Sequence, residues 1–176
     1  MKSEQSKAIE VLRSAVRMEV EGKEFYQQAS RKSSNKLAKE LFQQLANEED
    51  VHRKKVEEIY EHLSSGRDWP DIEPPRERGK GLKSLFAEAT EALGTELKPA
   101  GSDLEAIKIA MDMEAKSYDL YHSRAEESAL PVEKGFYESL AGEERGHHLA
   151  LVESYEYISD PAGWFSKGEH WSLDGA

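Results

Sequence analysis

The sequence repeats itself, and the repeat limits the fold to two related halves. A shift of 95 residues lays Met18-Glu19 on Met113-Glu114, Tyr26 on Tyr121 and Tyr60 on Tyr155. The same shift lays Leu45-Ala46-Asn47-Glu48-Glu49-Asp50-Val51-His52 on Leu140-Ala141-Gly142-Glu143-Glu144-Arg145-Gly146-His147. Each half carries one glutamate early and a Glu-x-x-His later. With 27 Glu and six His in the chain, chance supplies about one Glu-x-x-His, so the motif alone decides little. The shared register decides more, because a chance pair need not bring glutamate, tyrosine and motif into phase together.

Each half is built from two helical runs. From Lys7 to Ser30, apolar or small residues stand at Ala8, Val11, Leu12, Ala15, Met18, Gly22, Phe25, Tyr26 and Ala29, the spacing of an amphipathic helix. After the break at Arg31–Asn35, a stripe of Leu37, Leu41, Leu45, His52, Val56, Ile59 and Leu63 ends near Ser64-Ser65-Gly66. In the second half, Ser102 or Asp103 serves as N-cap to a run with Leu104, Ile107, Ala110, Met111, Glu114, Tyr118, Tyr121 and Ala125 inward. Pro131 suits the first position of the last run, which passes Phe136, Leu140, His147, Leu151, Tyr155 and Ile158 before Pro161 stops it. Strand-like alternation is absent.

Two hairpins, about 5–65 and 103–158, are thus joined by residues 66–102, far more than the 2–8 that usually link bundle neighbours. An all-α four-helix bundle with one long crossover accounts for that length. Within the crossover, the segment Leu82–Leu93 reads as a short helix.

At 176 residues the chain suits one domain with a substantial core, expected as residues 1–160 followed by an aromatic tail, 161–176. A net charge of -11 argues against a nucleic-acid partner, which needs a basic face. The absence of cysteine excludes disulfides, thiolate nucleophiles and any iron held by sulfur. No apolar run reaches the ~18 residues of a membrane span, and the start MKSEQSKAIE lacks the apolar stretch of a signal peptide. A cytoplasmic protein with no membrane partner is expected.

Some carboxylates fall on the apolar stripes. Glu49 stands between Leu45 and His52, Glu144 between Leu140 and His147, Glu19 on the face of Ala15 and Gly22, and Glu114 between Met111 and Tyr118. Four carboxylates and two imidazoles therefore converge in the core. A buried carboxylate without compensation is costly or takes up a proton. Two divalent cations would balance four carboxylates, and a carboxylate–imidazole set without sulfur favours iron or manganese over structural zinc. A core of structural Glu–His pairs is the plainer alternative, and the cost of four clustered carboxylates without a metal weighs against it.

At these residues the chain resembles the ferritin-like superfamily, and more closely rubrerythrin and its relatives that lack a rubredoxin domain. The resemblance covers both hairpins and rests on the order Glu, Glu-x-x-His, Glu, Glu-x-x-His; the tail DPAGWFSKGEHW is also similar to endings in this group. It implies a ferritin-like bundle with two iron ions per chain, held by Glu19, Glu49, His52, Glu114, Glu144 and His147, with Glu49 and Glu144 bridging. It also implies that Tyr26 and Tyr121 hydrogen-bond ligand carboxylates. Ser117 stands where rubrerythrins usually carry a further glutamate, and Gly22 is its mirror position, which makes the centre more symmetric and separates it from ligand-switching chemistry.

The function implied is a di-iron oxidoreductase that reduces hydrogen peroxide, or dioxygen, with electrons from an external donor such as a separate rubredoxin-like protein. A ferroxidase or iron-handling protein, and a non-enzymatic helical module with structural metals, are the alternatives. Glu48 and Glu143 are expected to face solvent, with His62, His122 and His170 on the surface and His148 at the surface or beside the ligands. Gly22, Gly142 and Gly146 lie inside helical runs, for close approach near the metals or for ordinary packing. Trp164, Phe165 and Trp171 are expected to fold back on the bundle or to meet a second subunit, with a homodimer as the assembly.

Overall fold

The computed structural model describes residues 2–70, 80–94 and 101–166. Among them are helices α1 (Lys2–Lys32), α2 (Lys36–Ser64), α3 (Lys80–Leu93), α4 (Gly101–Glu127), α5 (Pro131–Ser159) and α6 (Pro161–Ser166), and no strand. The fold is the expected all-α, ferritin-like bundle, with α1 packed along α2 and α4 along α5.

Local chemistry sets the helix ends. Asn35 has extended backbone and its side chain accepts from the Ala38 amide at 3.1 Å, so α2 starts immediately after α1 stops. Gly66, at φ +78°, adopts the left-handed turn that follows α2, a conformation a side chain would strain. Pro131 opens α5. Pro161 both ends that helix and opens α6, whose Gly163 amide donates to Asp160 Oδ1 at 2.9 Å.

One expectation at a helix start needs correction. Gly101 already begins α4, so Ser102 and Asp103 lie inside it. Asp103 instead serves its neighbour: its Oδ2 accepts from the Asn35 amide at 2.9 Å, tying α4 to the start of α2. A carboxylate in the first turn of one helix is thereby also an acceptor for the next.

The interior is layered along the bundle axis. One apolar cluster gathers Tyr26, Leu41, Phe42, Leu45, Ile107 and Leu151; the other gathers Leu12, Val56, Ile59, Tyr121, Tyr137 and Leu140. Each long helix passes from one cluster to the other, and its inward glutamate falls between them. Thus α1 presents Leu12, Glu19 and Tyr26 at steps of seven residues, two helical turns each. The sequence places a polar layer between two greasy ones.

Helix α3, inside the crossover, packs on α2 and α5. Leu82 is fully buried, and Phe86 meets Tyr157 and Trp164 edge-on at 5.9 and 5.4 Å. Trp164 is buried on this seam, whereas Phe165 is half exposed. Trp171 and His170 lie outside the described residues. No helix among the described residues is long and apolar enough to cross a membrane.

Candidate metal centre

The polar layer takes one glutamate from each of four helices and one histidine from each of two. Glu19 comes from α1, Glu49 and His52 from α2, Glu114 from α4, and Glu144 and His147 from α5; none is more than 4% exposed. A spacing of three on α2 and α5 sets glutamate and histidine on the same face, one turn apart. Glu19, Glu49, His52 and Glu144 each offer an oxygen or nitrogen within 4.8 Å of the others, and so do Glu49, Glu114, Glu144 and His147. The two groups overlap in Glu49 and Glu144.

Distances define the centre more closely. His52 Nδ1 lies 3.0 Å from Glu144 Oε1 and 3.7 Å from Glu19 Oε2. His147 Nδ1 lies 3.2 Å from Glu49 Oε1, 3.4 Å from Glu114 Oε2 and 4.0 Å from Glu144 Oε2. The imidazoles stack with centroids 5.3 Å apart. Close as these atoms are, Glu19 Oε2, Glu49 Oε1, His52 Nδ1, Glu114 Oε2, Glu144 Oε1 and His147 Nδ1 make no hydrogen bond. One buried atom from each of the six residues is thus left for another partner. Orphans of this kind are rare in native interiors, and carboxylate oxygens with imidazole nitrogens are the donor set for hard or borderline divalent cations. The residues fit bound metal.

Electrostatics agree. Burial pushes the Glu19 and Glu144 carboxyls well above their ordinary range, and the neighbouring Glu49 adds to both. Glu49 is raised as well, by burial and then by Glu114. Burial also presses on Glu114, but the charge of His147 and the hydrogen bond from Tyr26 act together against it and leave that carboxyl lowered. The two histidines diverge: burial holds His52 below its usual value, whereas Glu114, Glu48 and Glu49 overcome burial and drive His147 well above it. Without cations the layer holds charge it cannot solvate.

The tyrosines reach across the bundle. Tyr26 of the first hairpin donates to Glu114 Oε1 of the second, and Tyr121 of the second donates to Glu19 Oε1 of the first. Burial, then the charges of Glu114 and Glu19 respectively, raises both phenols well above 10, so they stay protonated as donors. Each hydroxyl takes one oxygen of a carboxylate whose other oxygen faces the centre.

Two sequence expectations about acids are overturned. Glu48 and Glu143 do not face solvent; both are buried. Glu48 Oε2 lies 2.8 Å from His147 Nε2, and its Oε1 accepts from Gln44 Nε2 at 2.9 Å. Burial alone would raise the Glu48 carboxyl, but the bond and charge of His147 together with the bond from Gln44 leave it lowered. The signal was available, since Glu48 and Glu143 are repeat mates like the residues beside them. Asp103, Glu133 and Glu153 are buried too, so the buried acids extend beyond the four on the stripes.

Other expected residues take simpler places. His148 is half-buried, with Nδ1 3.1 Å from the Met111 carbonyl oxygen. His122 is exposed and stacks on Tyr118, and His62 is half-buried. Gly22 and Ser117, repeat mates, line a cavity of about 290 Å3 with Met18, Met113, Glu49 and Glu114. A Cβ on Gly22 would touch Glu49 Oε2 at 3.5 Å, an ordinary contact, and one on Gly142 would meet nothing within 4 Å.

Fold and site together define a helical bundle with a buried carboxylate–histidine centre built by two related hairpins. The Rubrerythrin family model matches residues 10–155, and the chain belongs to that family. No curated protein and no solved structure matches it significantly.

Proposed function

We propose that this protein is a di-metal oxidoreductase that reduces hydrogen peroxide, or dioxygen, with electrons from a separate protein. The observation that carries this reading is the set of six orphaned buried atoms, arranged as two overlapping groups that share Glu49 and Glu144. Membership of the Rubrerythrin family makes iron the expected metal, with manganese a second fit to the same oxygens and nitrogens.

In this reading Glu19, His52, Glu114 and His147 would hold the metals together with Glu49 and Glu144, which both groups share. When bound in the ferrous state, the two irons supply two electrons, the number needed to cleave an O–O bond. The chain's own residues do the rest. Tyr26 and Tyr121 hold Glu114 and Glu19 by one oxygen each, keeping the other oxygen aimed inward. Gly22 and Ser117 leave room beside Glu49 and Glu114 for a small oxidant to approach. The apolar clusters on either side restrict water. With no cysteine, the chain carries no sulfur-bound redox group, so the donor is external, with a rubredoxin-like protein the expected class.

Stopped-flow spectra of the ferrous-loaded protein mixed with peroxide, and separately with dioxygen, test the proposal. Faster oxidation by peroxide with iron retained supports it. Faster oxidation by dioxygen followed by loss of iron would favour an iron-handling protein instead.

A further inference from the structure

A buried carboxylate outside the six-residue set meets one of its histidines. His147 turns Nδ1 toward Glu49, Glu114 and Glu144 and Nε2 toward Glu48, 2.8 Å away. Glu48 is itself fixed. Gln44, one turn earlier on α2, donates to its other oxygen at 2.9 Å. Gln44 in turn lies beneath Gly81 of α3, where a Cβ would come within 2.8 Å of Gln44 Nε2 and 3.6 Å of Glu48 Oε1. Glycine at 81 lets the crossover helix approach the Gln44–Glu48 pair closely.

We propose that Glu48 is a positioning residue that fixes His147 as an Nδ1 ligand, and that Gln44, beneath the crossover helix, holds Glu48 in place. The inference rests on the di-metal reading above and adds a residue to it. A neutral imidazole has one protonated nitrogen and one lone pair, so the partner of the first decides which nitrogen is free to ligate. A carboxylate on Nε2 keeps the proton there, leaves Nδ1 free, and locks the ring plane. Glu48 thus ties a helix of the long connection to the geometry of the centre, through two hydrogen bonds.

The test uses the full chain, with Co(II) titrated against a chromophoric chelator and histidine 15N shifts recorded on the Zn(II)-loaded protein. Wild type is expected to bind two ions, with His147 metal-bound at Nδ1 and protonated at Nε2. Glu48→Ala is expected to weaken one of the two ions about ten- to hundredfold and to disturb the His147 signals. Glu48→Gln, which keeps an acceptor, should lie between, and Gln44→Ala should show a smaller loss of the same kind. Glu58→Gln, an equal charge change on the exposed side of α2, should leave both affinities unchanged. A merely structural Glu48 would lower stability and leave both affinities and the His147 tautomer as in wild type, which would overturn the inference alone. Metal bound at His147 Nε2 in the wild type would overturn it without any variant. Failure of the wild type to bind metal would overturn this inference and the functional proposal together.

Discussion

Tyr26 and Tyr121 occupy repeat-related positions, each crosses to the opposite hairpin's glutamate, and each ring stacks on a repeat-related partner. Tyr26 stacks on Phe42 and Tyr121 on Tyr137, 95 residues further on; only the edge contact of Phe25 with Tyr26 has no aromatic counterpart, since Leu120 is its mate. The histidines, by contrast, differ: burial lowers His52, and the surrounding carboxylates raise His147. Atoms that face the centre and the ring stacks behind them repeat between the hairpins; the charge around the two histidines does not. A duplicated scaffold can therefore keep a symmetric geometry while its electrostatics come to differ.

The largest expected effects separate shared from unshared residues. Glu49→Gln or Glu144→Gln should cost both metals, because each belongs to both groups, whereas Glu19→Gln or Glu114→Gln should cost mainly one. Elemental analysis of each purified variant reads this directly. Equal loss from all four would break the division into bridging and terminal carboxylates.

The metal-free protein should respond in the opposite sense. Glu144→Gln removes an uncompensated buried charge and should stabilise the metal-free fold by on the order of 1–3 kcal/mol in urea unfolding. Because the fold raises this carboxyl, its protonated form is favoured, and stability is fully present below the unfolded carboxylate range near pH ~4. It is then lost as pH rises, so the gap between Glu144→Gln and wild type should widen from about pH 4 to pH 7. A gap that narrows would contradict the assignment of strain to this site.

Smaller effects probe the tyrosines. Tyr26→Phe and Tyr121→Phe each leave a buried carboxylate oxygen without its donor, at about 1–3 kcal/mol. Similar losses are expected, since the ring stacks and the hydroxyl contacts both match. Smallest is Gly142→Ala, at an open helical position, which should stabilise by about 0.5–1 kcal/mol in thermal unfolding.

Much of this was legible in the sequence, for physical reasons. Apolar stripes at helical spacing gave α1, α2, α4 and α5, and Pro131 and Pro161 marked boundaries because a ring fixes the backbone and removes a donor. The six convergent residues were legible because an acid on an apolar stripe has nowhere to point but inward. Glu48 was legible only through its repeat mate Glu143, because it stands one residue before Glu49 and falls off that stripe; the approach of α5 and α3 buries it. Asp103 was misread for a related reason, since its acceptor role depends on α2 lying beside it.

The measurement closest to the central claim is the metal content of the wild-type chain after anaerobic loading with ferrous iron and removal of excess. The account predicts two irons per chain, retained through gel filtration. A folded protein holding fewer than one metal per chain would contradict it.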